Sequence, residues 1–560
     1  MVTSLDVSHL PDFPEWANED SQDMLKKSYL DCPSLKLQFE RMALCASKWA
    51  PKDGTDWALK FFEMMWNGWY SNSSPCLSNL GNRRKGMPVS CSSQYVADSL
   101  DEIYTAKHET AMLTKAGFGT ALHLDDVRPR GSLISGHFKS NGVLPIIQGV
   151  VQDMSYVSQG HRRGSVAFYL STEHGDFKEV CSYLKNNPKD LNIGFNITED
   201  FSNKLQMGCP EALEKYQDIM LNRYTTGKGY LMFLDKSQEY LPLPYKREGL
   251  KVRGNNLCTE LNLPTDGDYT FNCTLGSLNV AKYDEWPEDL VKTAIVYLDC
   301  VNSEFLDMAR GQRGFEKIVK FAERFRPVGL GQMGIHTLMQ RKSIPFGSFE
   351  SIMLNLEVAR KINIESLSAS EYLAQQLGEP EGCKGLGIRM ASRVAIAPTK
   401  SSSNIMGGVS QGIEQYFGCA FVEPLSTGFV IRENPAFVEL LKSKGIYSKE
   451  LMNIIATEHM GSCQWMEELT QHEKNVFRCV FEVNQMDVLK LAAMRQKHID
   501  QMQSINLTFG PYATPEEISA VHKEAILNPD ILSLYYCRRV TQDPSGSIKK
   551  QDLGECLACE

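Results

Sequence analysis

Apolar residues are spaced differently in the first 70 residues and in the rest of the chain. In residues 34–50 (SLKLQFERMALCASKWA) and 57–70 (WALKFFEMMWNGWY) they recur at the intervals of a helix that buries one side. Residues 71–91 are instead rich in serine, asparagine, glycine and proline, which favours loops. The pattern therefore predicts an N-terminal helical segment that precedes a different architecture.

Between about residues 90 and 510, short apolar runs alternate with longer segments of helical spacing. The segments YLDCVNSEFLDMARG (297–311) and EVARKINIESLSASEYLAQQLG (357–378) are predicted helices. Such alternation is typical of an α/β fold whose sheet is covered by helices, and no internal repeat interrupts it. The predicted extended runs are SVAFYL (165–170), LNIGFNIT (191–198), GYLMFL (229–234), NLCTELNL (256–263) and RVAIAPT (393–399).

The composition is that of a large folded protein and argues against several classes of function. The chain has 560 residues, 42% of them hydrophobic, enough for several domains or one large barrel with additions. Its net charge of −9 argues against a nucleic-acid binder. The conspicuous basic clusters, 83–85 and 161–163, fit a local anion site or a solvated loop.

The chain shows no sign of export or membrane insertion. Its N-terminus has no apolar leader, and no run of about 18 apolar residues follows. Sixteen cysteines in so long a chain do not form a disulfide scaffold, so we expect a cytoplasmic location, or the host-cell cytoplasm for a viral protein. Isolated cysteines such as Cys181, Cys300, Cys419 and Cys479 are predicted to be small buried hydrophobic residues.

A thiol, an amide and a carboxylate alternate in the run NLCTELNL. In an extended backbone Asn256, Cys258 and Glu260 would face one side, within reach of one small molecule. Taken alone, the triplet also fits a half-buried strand. Cys91 and Cys273 each lie at the edge of a strand-like run beside small hydroxyl residues, where a single cysteine also fits a hydrophobic core.

Two further segments suggest an anion site and a mobile dithiol. Hydroxyl residues follow RVAIAP directly and precede a helical pattern, more of them than one helix cap needs. The last 20 residues are polar and predict a flexible tail that ends in Cys556 and Cys559. A zinc site would need a second cysteine pair, and a thioredoxin-like site would need a helix start within a βαβ unit. A tail of about 16 residues after Val540 spans roughly 50 Å extended, or about 20–25 Å as a coil, and so suits a mobile dithiol.

Taken together and in this order, these residues resemble the large catalytic subunit of class I ribonucleotide reductases. The resemblance runs from Ser74 to the last residue. It implies a ten-stranded α/β barrel in residues 76–545, after a helical segment in 1–75 and before a flexible redox-active tail in 546–560. It also implies a homodimer that reduces ribonucleoside diphosphates to 2′-deoxyribonucleotides for DNA synthesis.

The resemblance assigns roles to the candidate residues. Cys258 would carry a thiyl radical that takes the 3′ hydrogen, Glu260 would act as general base on the 3′ hydroxyl, and Asn256 would orient the ribose. Cys91 and Cys273 would supply two electrons while they close a disulfide. The implied substrate-binding residues are Ser74, Ser90, Pro398, Thr399, Lys400, Ser401 and Ser402. The implied residues for a deoxynucleotide or ATP specificity effector are Asp98, Ser99, Leu100, Arg128, Arg130, Gln159 and Arg163.

Tyr535 and Tyr536 distinguish the classes within this family. Alone they fit two aromatic residues of a buried strand. In class I enzymes two stacked tyrosines at this place relay an electron and a proton between the active-site cysteine and a separate small subunit. The radical cofactor would then lie in that subunit, with neither a metal nor a tightly bound cofactor in this chain. Thioredoxin or glutaredoxin would reduce the Cys556/Cys559 pair.

Two alternatives remain open from the sequence. A cobalamin-dependent, class II reductase would turn over with cobalamin and without a small subunit. A catalytically inactive nucleotide-binding protein would form no disulfide when substrate is added.

We also expect one allosteric site in each chain. Only 90 residues precede Cys91, no Val-x-Lys-Arg-Asp-Gly-like signature occurs among them, and the helical spacing from Ser34 onward already resembles the catalytic region. An N-terminal ATP cone is therefore not expected. The specificity pocket near Asp98 and Arg128 should then make dATP an activator that does not inhibit at high concentration. A titration to millimolar dATP, with rate and bound dATP measured, would contradict this through strong inhibition or a second bound nucleotide.

Overall fold

The computed structural model describes residues 4–82, 86–159, 162–425, 428–542 and 548–550. The helices are α1 Glu19–Ser28, α2 Leu35–Ser47, α3 Trp57–Trp66, α4 Ser74–Asn79, α5 Leu100–Ala116, α6 Leu144–Tyr156, α7 Phe177–Asn186, α8 Glu199–Gln206, α9 Pro210–Thr226, α10 Leu234–Tyr240, α11 Leu243–Arg247, α12 Leu290–Ala309, α13 Glu316–Phe325, α14 Ile335–Arg341, α15 Phe349–Leu377, α16 Lys400–Ile405, α17 Pro435–Ser443, α18 Lys449–Thr457, α19 Gln471–Val476, α20 Gln485–Gln496 and α21 Pro515–Leu527.

The strands are β1 Tyr70–Asn72, β2 Cys91–Tyr95, β3 Thr120–His123, β4 Leu133–Ile134, β5 Phe138–Lys139, β6 Ser158–Gln159, β7 Arg162–Arg163, β8 Val166–Ser171, β9 Asn192–Ile197, β10 Tyr230–Phe233, β11 Phe271–Asn279, β12 Val328–Met333, β13 Ala420–Leu425, β14 Gly428–Glu433, β15 Leu507–Phe509, β16 Ser533–Leu534, β17 Cys537–Gln542 and β18 Ile548–Lys550.

The N-terminal helical segment forms as predicted, with one change at its end. α2 and α3 pack on each other and on α12, and they bury Phe39, Met42 and Phe61. The predicted helix 57–70 stops at Trp66, because Gly68 adopts a left-handed φ of +71° that ends the helical path. The following residues form β1, which leads the chain into the sheet.

The main sheet has the strand order β1-β11-β2-β3-β8-β9-β10-β16, and β12 pairs with β11. The strands β2, β3, β8, β9 and β10 run parallel, whereas β11 is antiparallel to β2. The predictions of strands in 165–170, 191–198 and 229–234 are confirmed by β8, β9 and β10. The helix predicted for 297–311 corresponds to α12, which ends at Ala309, and the helix predicted for 357–378 corresponds to α15, which ends at Leu377. Both helices begin earlier than expected.

Irregular segments link the two ends of the sheet. The predicted strand 393–399 is wrong as a regular strand, since it forms one isolated bridge, from Ile396 to Gln503. Residues 392–393 nevertheless accept backbone bonds from β12, at 3.1 Å from Val328 N and 2.8 Å from Leu330 N. Residues 501–505 continue the connection to the residues after β16. The described residues thus form a nine-stranded sheet instead of the expected ten, and an irregular segment takes the remaining place.

Alternate side chains of the barrel strands face its interior. In β8, Ala167 and Tyr169 join the inner cluster with Cys258 and Cys273, while Phe168 and Leu170 belong to the cluster under the outer helices. Both sides of β8 are buried, as expected for parallel strands covered by helices. The interior is therefore lined by buried side chains, and residues 257–261 enter it.

Two other expectations concern the isolated cysteines and the absence of a membrane-spanning helix. Cys181, Cys300, Cys419 and Cys479 are buried, as predicted. Within the described ranges, no helix is both long enough and apolar enough to cross a bilayer.

A buried ion cluster fastens α12 to the outside of the barrel, and it gives a stability prediction. Asp299 accepts from Arg326 Nε at 2.8 Å and from Arg389 Nε at 2.9 Å. Burial alone would raise the pKa of Asp299, but the two arginines lower it below the ordinary value. Asp299→Asn should cost about 3–5 kcal/mol of the free energy of unfolding at neutral pH, because the buried Arg326 and the half-buried Arg389 lose their carboxylate. The difference from the unmodified chain should shrink as pH falls through the pKa of the folded state.

Chemical denaturation at two pH values measures this effect. Asp284→Asn is the matched control, because Asp284 forms an exposed pair with Lys342 and its loss should change little. An Asp299 variant as stable as that control would contradict the assignment.

Candidate active site

The segment around Cys258 is an ordered loop inside the barrel, so the strand predicted for 256–263 is wrong. The chain turns at 257–259, where Thr259 has a left-handed φ of +65°. Two asparagine side chains close the turn. Asn256 Oδ1 accepts from the backbone N–H of Glu260 at 3.1 Å, and Asn255 Oδ1 accepts from Leu261 N–H at 3.0 Å. These side-chain bonds take the place of the strand-to-strand backbone hydrogen bonds that the alternating polar residues had predicted.

Residues of the surrounding barrel donate hydrogen bonds to the backbone carbonyls of this loop, a different residue to each carbonyl. Buried carbonyls need partners, and here they come from side chains and backbone of several different strands and segments. The loop is therefore fixed from several directions, and Cys258 is only 4% exposed. The contacts are His123 Nε2 to Asn255 O (3.1 Å), Tyr169 Oη to Asn256 O (2.7 Å), Ser504 Oγ to Cys258 O (2.5 Å), Ser533 Oγ to Thr259 O (2.9 Å) and Met502 N to Glu260 O (3.0 Å).

Cys91 and Cys273 lie directly opposite each other on the antiparallel strands β2 and β11. Such paired residues have Cα atoms about 4.5–5.5 Å apart, which lies within the range that a disulfide spans. Cys91 Sγ is also 3.9 Å from Glu260 Oε1. The structure thus brings together two thiols and a carboxylate that the sequence separates by up to 182 positions.

Burial controls the protonation of this site. It raises the pKa of Glu260 to about 7 and the pKa values of Cys91 and Cys273 well above the ordinary range for a thiol. Both cysteines are therefore thiols at rest. Glu260 Oε2 and Asn256 Nδ2 are buried and make no hydrogen bond within the part of the chain described. An acceptor and a donor are thus available for hydroxyl groups of a bound molecule.

Three tyrosines form a cluster beside this loop. The Tyr535 and Tyr536 rings have centroids 4.2 Å apart and are tilted by 52°, so they are in contact but not stacked in parallel. They lie between β16 and β17, not inside a strand as the simpler interpretation had them. Tyr230 of β10 contacts both, with centroid distances of 4.6 and 5.2 Å. Sequence reasoning missed Tyr230, although the alternation in 229–234 already put it on the side of Met232.

The hydroxyl-rich segment forms a short helix start next to β1. Thr399, at a left-handed φ of +57°, precedes α16 and accepts from Gly412 N–H at 2.8 Å, so its hydroxyl stabilises the loop itself. Ser402 Oγ donates to Asn72 O, two residues before Ser74, so the two predicted halves of the substrate site adjoin. Lys400 lies 3.8 Å from Glu423 and is mostly buried.

Other predicted substrate residues border this region. Pro398 directly precedes Thr399, and Ser90 directly precedes Cys91. The hydroxyls of Ser90 and Ser401 are buried and make no hydrogen bond within the described chain.

The predicted effector residues are partly brought together. Asp98 accepts from Arg128, through the backbone N–H at 3.1 Å and Nε at 2.7 Å. Ser99 caps α5, and Leu100 is 73% exposed beside it. Arg130 instead makes a two-bond pair with Glu179.

Some predicted residues lie partly or wholly outside the described chain. The backbone of Gln159 and Arg163 lies in the antiparallel pair β6 and β7, but their side chains are outside the description, as is His161. The basic cluster 83–85 and the cysteines Cys556 and Cys559 also lie outside the described residues.

Comparison with known proteins gives two family matches. The ribonucleotide reductase barrel domain matches residues 89–209, 210–385 and 380–527, and the ribonucleotide reductase all-alpha domain matches 20–85. A relative in Frog virus 3 (isolate Goorha), provisionally named as a ribonucleoside-diphosphate reductase large subunit, is 34% identical over 522 residues. That match covers 88% of this chain and 90% of the viral protein.

A solved structure and a relative of another class also match. The alpha subunit of the Actinobacillus ureae class Id ribonucleotide reductase is 33% identical with a TM-score of 0.86, and the match covers 94% of this chain and 97% of that one. A vitamin B12-dependent ribonucleoside-diphosphate reductase of Thermoplasma acidophilum is 28% identical over 83% of this chain and 63% of its own length.

The chain therefore belongs to the ribonucleotide reductase family of oxidoreductases. Its all-alpha domain, its barrel and its class Id alpha-subunit neighbour make it a large subunit of the class I type, as the resemblance implied.

Proposed function

We propose that this chain is the catalytic subunit of a ribonucleoside-diphosphate reductase, in which Cys258 carries a transient thiyl radical. The observation that carries the proposal is the buried arrangement of the site. Cys91 and Cys273 face each other across two strands, Glu260 contacts Cys91, and the loop that carries Cys258 enters the same interior. A buried interior of this kind protects a radical from solvent.

Cys258, Glu260 and Asn256 each have a different role in the reaction of the ribose. Cys258 takes the 3′ hydrogen atom. Glu260 accepts the 3′ hydroxyl proton, and Asn256 Nδ2 donates to a ribose hydroxyl. The available Glu260 Oε2 and Asn256 Nδ2 atoms support these two roles, since a buried donor and a buried acceptor favour a ligand that pairs both.

Cys91 and Cys273 supply the reducing equivalents. The 2′ hydroxyl leaves as water with a proton from Cys91, and the two thiols give up two electrons and two protons as their sulfur atoms bond. Return of the hydrogen atom from Cys258 to C3′ then completes the deoxynucleotide and regenerates the Cys258 thiyl radical. The direct pairing of Cys91 with Cys273 on adjacent strands supports this step, because paired residues lie within the span of a disulfide.

The tyrosine cluster supports a class I radical route. Tyr535 and Tyr536 contact each other and Tyr230 inside the cluster that also contains Cys258. We infer that they relay an electron and a proton to Cys258 from a small subunit that holds the radical cofactor. Because B12-dependent reductases also match this chain, at 28% and 25% identity, cobalamin is the alternative radical source against which the class I route is tested.

The surrounding residues supply binding and regulation. The α16 loop with Ser74 holds the substrate diphosphate, and the region of Asp98 and Arg128 holds the nucleotide effector. A homodimer is supported by exposed apolar side chains on α5 and α6 near that region. Leu100, Tyr104 and Tyr156 are 73%, 63% and 90% exposed. The proposed division of the chain is a helical segment in residues 1–75, the catalytic barrel in 76–545 and a redox-active tail in 546–560.

One assay separates the candidates. The chain is incubated with a ribonucleoside diphosphate, a dithiol and an effector, and either the cognate small subunit or adenosylcobalamin is added. Deoxynucleotide formation only with the small subunit supports the class I proposal. Turnover with cobalamin alone would establish the second candidate, and no turnover with either would refute both.

The pKa of Glu260 predicts the acid side of the pH profile. A general base must be ionised, and burial raises the pKa of this carboxyl to about 7. The value of kcat/KM should therefore fall about tenfold for each pH unit below that pKa. Glu260→Gln should have low activity without this dependence. A profile for the unmodified enzyme that stays flat through neutral pH and well below it would contradict the role of Glu260.

A further inference from the structure

Gln501 is a buried residue that contacts one of the two reducing cysteines, and no sequence pattern marks it. It is fully buried in the irregular segment that follows α20 and completes the barrel. Its Nε2 donates to Val328 O at 2.9 Å and also lies 3.8 Å from Cys273 Sγ. Because a backbone carbonyl can only accept, the atom that faces Val328 must be the amide nitrogen. Its second hydrogen can then point to sulfur.

The two cysteines therefore have different surroundings. Cys273 is 0% exposed and has the Gln501 amide donor. Cys91 is 7% exposed and has the Glu260 carboxylate 3.9 Å from its sulfur. After burial, the neighbouring Glu260 carboxylate is the main cause that raises the pKa of Cys91. After burial, Gln501 has the largest influence on the pKa of Cys273 and lowers it, whereas Glu260 raises it by a smaller amount.

This asymmetry matters for re-reduction of the disulfide. In thiol–disulfide exchange the attacked sulfur bonds to the incoming thiolate as a mixed disulfide, its bond to the other sulfur breaks, and that other sulfur leaves as a thiolate. The better leaving group is the sulfur whose negative charge is stabilised. A hydrogen-bond donor stabilises a thiolate, whereas a neighbouring carboxylate destabilises it.

We propose that Gln501 sets the direction of this exchange: the incoming thiolate bonds to Cys91 Sγ, and Cys273 Sγ leaves as a thiolate held by the Gln501 amide. The inference rests on the proposed function, which supplies the Cys91–Cys273 disulfide and the dithiol that reduces it. The second thiol of that dithiol then attacks the mixed disulfide and releases Cys91. Two electrons pass from the dithiol to the barrel cysteines, and the two protons it loses end on Cys91 and Cys273.

Trapping the mixed disulfide tests the direction. The enzyme carries Cys556→Ser and Cys559→Ser, so that its own tail cannot react. One turnover with substrate and small subunit forms the barrel disulfide. Cysteamine is then added as a small thiol, the reaction is quenched with acid, free thiols are alkylated, and peptides are analysed by mass spectrometry.

We expect cysteamine on Cys91 and the alkylating group on Cys273, in at least about tenfold excess over the reverse pattern. An even split, or cysteamine mainly on Cys273, would overturn the proposed direction while leaving the disulfide itself established. If one turnover formed no Cys91–Cys273 disulfide, the proposed function would fail first and this inference with it.

A substitution tests the part played by Gln501. In the same tail-modified background, Gln501→Leu should slow cysteamine attack roughly tenfold and reduce the preference for Cys91, because the leaving thiolate loses its donor. Gln485→Leu is the matched control, since Gln485 is a buried glutamine that donates to Val480 O and Val483 O away from the cysteines. It should change neither the rate nor the ratio.

The ratio of the two adducts separates this role from a structural one. Loss of packing alone lowers yield or thermal stability without changing which sulfur is attacked. A folded Gln501→Leu enzyme with the unmodified ratio and rate would refute the role of Gln501. If that variant does not fold, the trapping experiment on the chain with Gln501 intact still decides the direction.

Discussion

Cys258→Ser should abolish deoxynucleotide formation, with a loss of at least about a thousandfold in kcat. A serine hydroxyl holds its hydrogen too strongly to form the radical that takes the 3′ hydrogen. The loop should keep its shape, because the hydrogen bonds described for it use backbone carbonyls and the side chains of Asn255 and Asn256. Substrate and effector binding should therefore persist while turnover is lost.

The measurement compares turnover with nucleotide affinity in the same preparation. Cys181→Ser is a suitable control, since Cys181 is a buried cysteine on α7 outside the inner cluster. It should leave the chemistry intact even if it lowers stability. Turnover by the Cys258 variant within tenfold of the unmodified enzyme would refute the radical role.

Replacing both tail cysteines, Cys556→Ser and Cys559→Ser, should end multiple turnover with thioredoxin. Cys91 and Cys273 already hold two electrons, so one reduction per active site should remain. A linked tail reaches the barrel disulfide at an effective concentration of millimolar order, which a protein reductant in solution cannot match inside a buried site. The expected trace is a burst equal to that of the unmodified enzyme, followed by arrest.

Rapid quench of pre-reduced enzyme measures the burst and the later steady state. A Cys209→Ser chain, which loses a half-buried cysteine distant in sequence from both pairs, should show the same burst and continued turnover. If the double variant turned over normally with thioredoxin, the tail cysteines would not be the reductant of the barrel disulfide. A missing burst would instead point to damage in the barrel.

Sequence patterns predicted the regular part of the fold well. β8, β9 and β10 follow from apolar runs buried on both sides, and α12 and α15 follow from helical spacing. The run 256–263 failed for a physical reason. Asparagine side chains at its start accept hydrogen bonds from the backbone of a turn. The same alternation of polar residues is also typical of a strand, which was the simplest local interpretation of the sequence.

The candidate site depends on contacts that no local pattern contains. Cys91 and Cys273 become neighbours only because β2 and β11 pair in one particular register. Family resemblance supplied that expectation, and residue spacing did not. Tyr230 had a weak signal in its strand alternation. Gln501 had none, because its segment is irregular and its importance comes from the sulfur it contacts.

The closing segments of the barrel also determine when the site can exist during synthesis. Residues 501–505 and 533–536 supply Ser504 and Ser533 to the loop and join one another through the bond from Tyr535 N to Ile505 O. A nascent chain that has not yet released these residues from the ribosome has a sheet with unpaired edges and an unsupported loop at Cys258. Such edges favour aggregation, so the unfinished chain is a natural client for chaperones that cover exposed strands. Cys258 would acquire its rigid surroundings only after almost the whole barrel has emerged.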